Sequence, residues 1–71
     1  MRGNEFIRLV QRYAKSQDMP FEWHPDKGKG SHGVLLLGGI RTVVRNPKDE
    51  LRTGTYHAML KQLGIKEKDL S

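Results

Sequence analysis

The chain has 71 residues, 35% of them apolar, which is enough for one small core of helix against sheet and too little for two. It contains no cysteine, so a disulfide framework and a thiolate metal site are both excluded. Thirteen Lys and Arg against eight Asp and Glu leave a net charge of +5, an excess that on so small a chain favours a polyanionic partner.

The first residues, Met1-Arg2-Gly3-Asn4-Glu5, contain no apolar run of the signal-peptide kind. No later stretch approaches the roughly 18 apolar residues of a membrane span. A single soluble, cytoplasmic domain over residues 1–71, with no membrane contact, is the expectation. Asn4 can cap a helix and Glu5 suits its first turn. Phe6, Leu9, Val10, Tyr13 and Ala14 then recur at i, i+3, i+4, i+7 and i+8, one apolar face of a helix reaching about Ser16. Arg8, Arg12 and Lys15 lie off that face and form a basic ridge, either an ordinary solvated face or a phosphate contact.

Residues 19–25, Met-Pro-Phe-Glu-Trp-His-Pro, alternate apolar and polar between two prolines and predict a short edge strand with Phe21 and Trp23 inward. Trp23 is read as core, base stacking being the alternative use of its ring. His24 then points outward and is read as a surface residue. The run Asp26-Lys27-Gly28-Lys29-Gly30-Ser31-His32 follows, a loop suited to phosphate. Its glycines let backbone N–H groups approach an anion, and Lys27 and Lys29 supply charge.

Residues 31–37 and 40–45 are β-rich and separated only by Gly38-Gly39, a two-residue hairpin turn. Closing the hairpin there sets Leu37 opposite Ile40, Leu35 opposite Thr42 and Gly33 opposite Val44 on one face, the predicted core. The other face pairs Leu36 with Arg41, Val34 with Val43 and His32 with Arg45. It is expected to expose His32 and both arginines around an apolar patch of Val34, Leu36 and Val43.

Pro47 ends the third strand, and Leu51 is expected to plug the core from a crossing loop. A second helix starts near Thr53 with Tyr56, Met59, Leu60 and Leu63 as its apolar stripe. Gly64 and Ile65 fit a left-handed C-cap. His57 and Lys61 share its outer face, and Leu70 can dock from one more turn in the tail. The fold class is α+β, in the order α-β-β-β-α, with two helices on one face of a three-stranded antiparallel sheet. Double-stranded-RNA-binding domains have this arrangement.

The register gives His32 a chemical setting, with Arg45 across the strand and Lys27 and Lys29 in the adjoining loop. A neutral imidazole beside cations that grip a phosphate suits a general base. In RNA such a base can take the 2′-hydroxyl proton, so that the oxygen attacks the adjacent phosphodiester and leaves a 2′,3′-cyclic phosphate. Lysine and arginine would offset the charge developing on phosphorus, with no metal or other cofactor required. The bland alternative is an ordinary surface histidine at a strand start. His24, His32 and His57 offer no pair at helical ligand spacing, which speaks against a zinc site.

Several stretches resemble one known family. Gly30-Ser31-His32, Arg41-Thr42-Val43-Val44, Pro47-Lys48-Asp49-Glu50-Leu51-Arg52-Thr53-Gly54-Thr55 and Met59-Leu60-Lys61-Gln62-Leu63-Gly64-Ile65 are similar to the HicA toxins of HicA–HicB toxin–antitoxin pairs. The resemblance covers residues 4–65. It implies a dsRBD-like fold and a ribosome-independent mRNA interferase whose catalytic histidine is His32. It also implies a HicB-type antitoxin that covers the active surface, with operator DNA reached only through that antitoxin.

Two departures stand out: Asn46 occupies a position where members often have histidine, and Val34 and Leu36 are apolar where members are often polar. Lys27, Lys29, Gly30, Ser31, Arg45, Arg41, Arg8 and Arg12 are the expected RNA and phosphate contacts. The rival readings are a non-catalytic RNA-binding module of the same fold and a pure interaction protein whose charge is incidental.

Overall fold

The computed structural model describes residues 1–27 and 32–70. Helix α1 spans Gly3–Ser16, strands β1, β2 and β3 span Phe21–His24, Gly33–Leu37 and Ile40–Val44, and helix α2 spans Thr53–Leu63. A closing 3-10 turn covers Glu67–Leu70. The three strands form one antiparallel sheet in the order β1-β2-β3, so β2 is central and β1 is an edge strand, as the prolines around it predict.

Gly38 and Gly39 take φ of +56° and +87°, the doubly left-handed turn that matches strand twist. That turn sets the hairpin register as expected: Leu37 opposite Ile40, Leu36 opposite Arg41, Leu35 opposite Thr42, Val34 opposite Val43 and Gly33 opposite Val44. On the other side Phe21 pairs with Leu37, Trp23 with Leu35 and His24 with Val34. Phe21, Trp23, Leu35, Leu37, Thr42 and Val44 therefore share the inner face. Both helices cover it, α1 over β1 and β2 and α2 over β3.

The core joins Phe6, Ile7, Val10 and Ala14 of α1 to Leu35, Leu37 and Val44 and to Met59, Leu60 and Leu63 of α2. Leu51 packs against its edge, and Ile65 and Leu70 close it. Gly64 at φ +72° ends α2, and the Ile65 N–H donates to the Leu60 carbonyl at 3.1 Å, the left-handed cap read from the sequence. Thr42 is buried among these apolar groups because its hydroxyl meets Gln62 Oε1 at 2.5 Å.

Four expectations need correction. Asn4 does not cap α1: the helix starts two residues earlier than that cap would set it, its N-cap is Arg2, and no side chain caps it. Carbonyls of the crossing loop do that work instead, since the Gly3 and Asn4 N–H groups donate to Asp49 and Pro47 at 3.1 and 2.8 Å. Among the described residues the strands are also shorter than expected: β2 starts at Gly33, after His32, and β3 stops at Val44, where Asn46 at φ +45° takes the chain away from the sheet.

Ile40, on the inner face, is 43% exposed, since its place beside the turn lies beyond the helices' cover. Val34, on the outer face, is only 5% exposed although it lies outside the core cluster. It sits on the central strand with His24 opposite on one side and Val43 on the other, and its neighbours shield it. Among the described residues no helix is long and apolar enough to cross a membrane.

Candidate functional site

Three of the expected site residues, Lys27, His32 and Arg45, fall at one end of the sheet, where β1 and β3 stop and β2 begins. His32 immediately precedes Gly33 and is half-buried. Lys27 is exposed in the turn that leaves β1, its N–H donating to the His24 carbonyl at 3.4 Å. Arg45 is exposed at the position after β3. The pairing stops at Gly33 and Val44, one pair short of His32 and Arg45, so these two are the next positions on neighbouring strands and not a paired couple. Arg41 is exposed farther along the same outer face, opposite Leu36. Lys29, Gly30 and Ser31 lie outside the described residues.

Arg8 and Arg12 are exposed on α1, whose buried side lies on the inner face. They therefore stand across the molecule from Arg41. Positive charge is presented on two opposite sides, with His32 at the end of the sheet that carries Lys27 and Arg45. His57, on α2, packs edge-on against Tyr56 with 5.2 Å between ring centroids, on the helical side and away from this corner.

Beneath the corner, a concavity of about 460 Å³ runs between the start of α1 and the crossing loop, walled by Trp23, Pro25, Asn46 and Lys48. It is not an anion site of the helix-end kind, because the first free N–H groups of α1 are already bonded to Pro47 and Asp49. Met1 and Arg2 fasten the same loop. The terminal ammonium pairs with the Glu50 carboxylate, and Arg2 Nη1 donates to the Lys48 carbonyl at 2.7 Å. The ammonium's hydrogen bond, and then its charge, hold the Glu50 carboxyl below its ordinary range. Burial, with Glu67 adding to it, pushes the Tyr56 hydroxyl up.

One feature of the corner escaped the sequence reading. His24 is more than a surface residue: its Nε2 lies 3.1 Å from Glu22 Oε1, and its side chain is 33% exposed. The signal was present in the alternation, which sets Glu22 and His24 on one outward face two residues apart. Among the described residues no group of three His, Cys, Asp or Glu could hold a metal ion.

The fold defines a class, a small basic α-β-β-β-α domain with an open three-stranded antiparallel sheet. Residues 21–65, from the start of β1 to the residue after the cap of α2, match the family described as HicA toxin of bacterial toxin-antitoxin. The chain belongs to the HicA toxin family, and a toxin of this kind has an antitoxin as its partner. No curated protein and no solved structure matches it. Asn46 holds φ +45°, a left-handed conformation in which Asn and His are both enriched, so the turn tolerates either residue.

Proposed function

We propose that this toxin is an endoribonuclease that cleaves mRNA, with His32 as its general acid/base and Lys27, Lys29, Arg41 and Arg45 holding the phosphate backbone. His32 takes the proton from a ribose 2′-OH, the freed oxygen bonds to phosphorus, and the P–O5′ bond breaks. The products are a 2′,3′-cyclic phosphate and a 5′-hydroxyl. The cations offset charge on the equatorial oxygens as it develops, so the reaction needs no metal ion.

Gly30 and Ser31 contribute backbone N–H groups to the same anion. A HicB-type antitoxin silences the enzyme by covering this face, and operator DNA is reached only through the antitoxin. The protein acts as one domain in the cytoplasm, where its transcripts are.

The observation that supports this reading is half-buried His32 just ahead of β2, at the same end of the sheet where Lys27 follows β1 and Arg45 follows β3. The second reading is a binding module that cuts nothing, and the exposed ridge of Arg8, Arg12 and Lys15 on α1 favours it.

One pair of variants separates the two. His32→Ala is expected to lose roughly 10²- to 10⁴-fold in RNA cleavage while keeping its affinity for RNA. The double change Arg8→Ala with Arg12→Ala is expected to leave cleavage nearly intact. If His32→Ala cuts a defined transcript as fast as the unaltered protein, with 5′ ends mapped for both, the catalytic reading is wrong. Loss of RNA binding in the ridge variant, with no cleavage by the parent, would establish the binding module instead.

A further inference from the structure

Transesterification of RNA moves two protons: one leaves the attacking 2′-hydroxyl, and one must reach the departing 5′-oxygen. A base alone leaves an alkoxide to depart from phosphorus, so a second proton carrier on the far side of the phosphate adds substantially to the rate. Of the chain's three histidines, His57 lies on the helical side of the sheet, whereas His24 ends β1 and shares the outer face with the head of β2.

His24 is opposite Val34, and His32 stands two residues before Val34, immediately ahead of the first residue of β2. Carried one residue back from Gly33, the course of β2 sets the two histidines diagonally across the sheet end, a position at which neighbouring residues stand roughly 7 to 8 Å apart. Imidazoles at that separation can face each other with a phosphate group between them.

Two further observations bring the rings to this place. Val34 is 5% exposed on a face that no helix covers, so side chains around it must lie over it. Its described neighbours on that face are His24, Val43, Leu36 and His32. The ring of His24 is also held: Nε2–H donates to the Glu22 carboxylate oxygen Oε1 at 3.1 Å, so that Nδ1 is the ring nitrogen not engaged by this contact. A carboxylate behind an imidazole is the arrangement that orients such a ring for proton transfer. The titratable and charged groups nearest to His24 along the chain and across the sheet are Glu22 on its own strand, whose carboxylate it contacts, Lys27 in the turn that follows, and His32 just ahead of β2.

We infer that His24, oriented by Glu22, is the general acid of the reaction, delivering a proton from Nδ1 to the departing 5′-oxygen while His32 accepts the 2′-hydroxyl proton. The inference rests on the RNA-cleaving reading above. The balance is closed. The 2′-O–P bond forms as the P–O5′ bond breaks, His32 gains the 2′-hydroxyl proton, His24 gives its own to the 5′-oxygen, and solvent resets both rings. Glu22 is a positioning residue that touches only His24.

The test replaces the bridging 5′-oxygen at one cleavage site of a short RNA by sulfur, because a thiolate departs without a proton. His24→Asn and His24→Ala are measured on the oxygen and sulfur substrates beside the unaltered protein and His32→Ala, with circular dichroism as the check on folding. On the oxygen substrate both His24 variants are expected to lose roughly 10²- to 10⁴-fold.

On the sulfur substrate they are expected to return to near the unaltered rate, while His32→Ala stays slow on both. Full activity of the His24 variants on the oxygen substrate overturns the inference, and so does an equal loss on both substrates, which would make His24 structural. If the unaltered protein cuts neither substrate, the RNA-cleaving reading falls first and this inference falls with it.

Discussion

Gly33 shows how a single residue can be set by one neighbour. A Cβ built there would lie 2.3 Å from Cη2 of Trp23, so the indole occupies the space that any other side chain would need. The same contact accounts for Trp23 as a wall of the core and not a free stacking platform, in keeping with the inward alternation of β1. Gly33→Ala is expected to cost roughly 1 to 3 kcal/mol, because the ring must move from a packed position. Urea unfolding should show it, and a second change, Trp23→Leu, should give part of the loss back. An alanine variant as stable as the parent would mean that the indole swings aside freely. At the same scale Thr42 is a polar residue whose place in the core was legible from the register, although its partner Gln62, twenty positions on, was not.

Helix α1 is an element whose first turn is made by a distant segment. Its apolar stripe was plain from the spacing of Phe6, Val10 and Ala14, yet its start was assigned to an Asn4 cap that does not form. Gly3 lies against the crossing loop so closely that a Cβ would be 2.7 Å from the Pro47 Cα. Two effects oppose each other in Gly3→Ala. Helix propensity favours alanine by about 1 kcal/mol, while the contact with rigid proline backbone opposes it. We expect the contact to win, since neither Pro47 nor the two backbone bonds beside it can give way cheaply, and the melting temperature should fall. A rise would show that the loop moves with the helix. The β2–β3 hairpin is the opposite case, because its two left-handed glycines are adjacent in sequence and fix the register with no help from elsewhere.

At the scale of the whole molecule, one layer of two helices on three strands leaves a thin core with few residues in reserve. Leu35 sits at its centre on the middle strand, fully buried. Leu35→Ala is expected to cost about 2 to 5 kcal/mol, a large part of the roughly 5 to 15 kcal/mol that holds a domain together. Denaturant titration would read this directly, and a near-neutral result would mean that the sheet faces the other way. The single layer also leaves the outer face open, so Glu22, His24, Arg41 and Val43, the last 39% exposed, are presented together. Positive charge on both sides of so small a body offers a polyanion two faces, the sheet and α1, so tests of the proposed cleavage measure rate and affinity separately.

The sequence by itself determined what depends on local period and local turn chemistry. Apolar spacing of 3.6 marked both helices, alternation marked β1, Gly38-Gly39 fixed the β2–β3 register, Gly64 marked the end of α2, and the Gly30-Ser31-His32 and Leu60-to-Ile65 stretches pointed to the HicA family. Tertiary structure alone decided what depends on segments that meet from far apart. The loop at residues 46–50 caps α1, Val34 is shielded where a bare outer face was expected, and His24, opposite Val34, is paired with Glu22. Hydrogen-bond partners and burial depend on which surfaces face one another after folding, and no repeat within the chain encodes that.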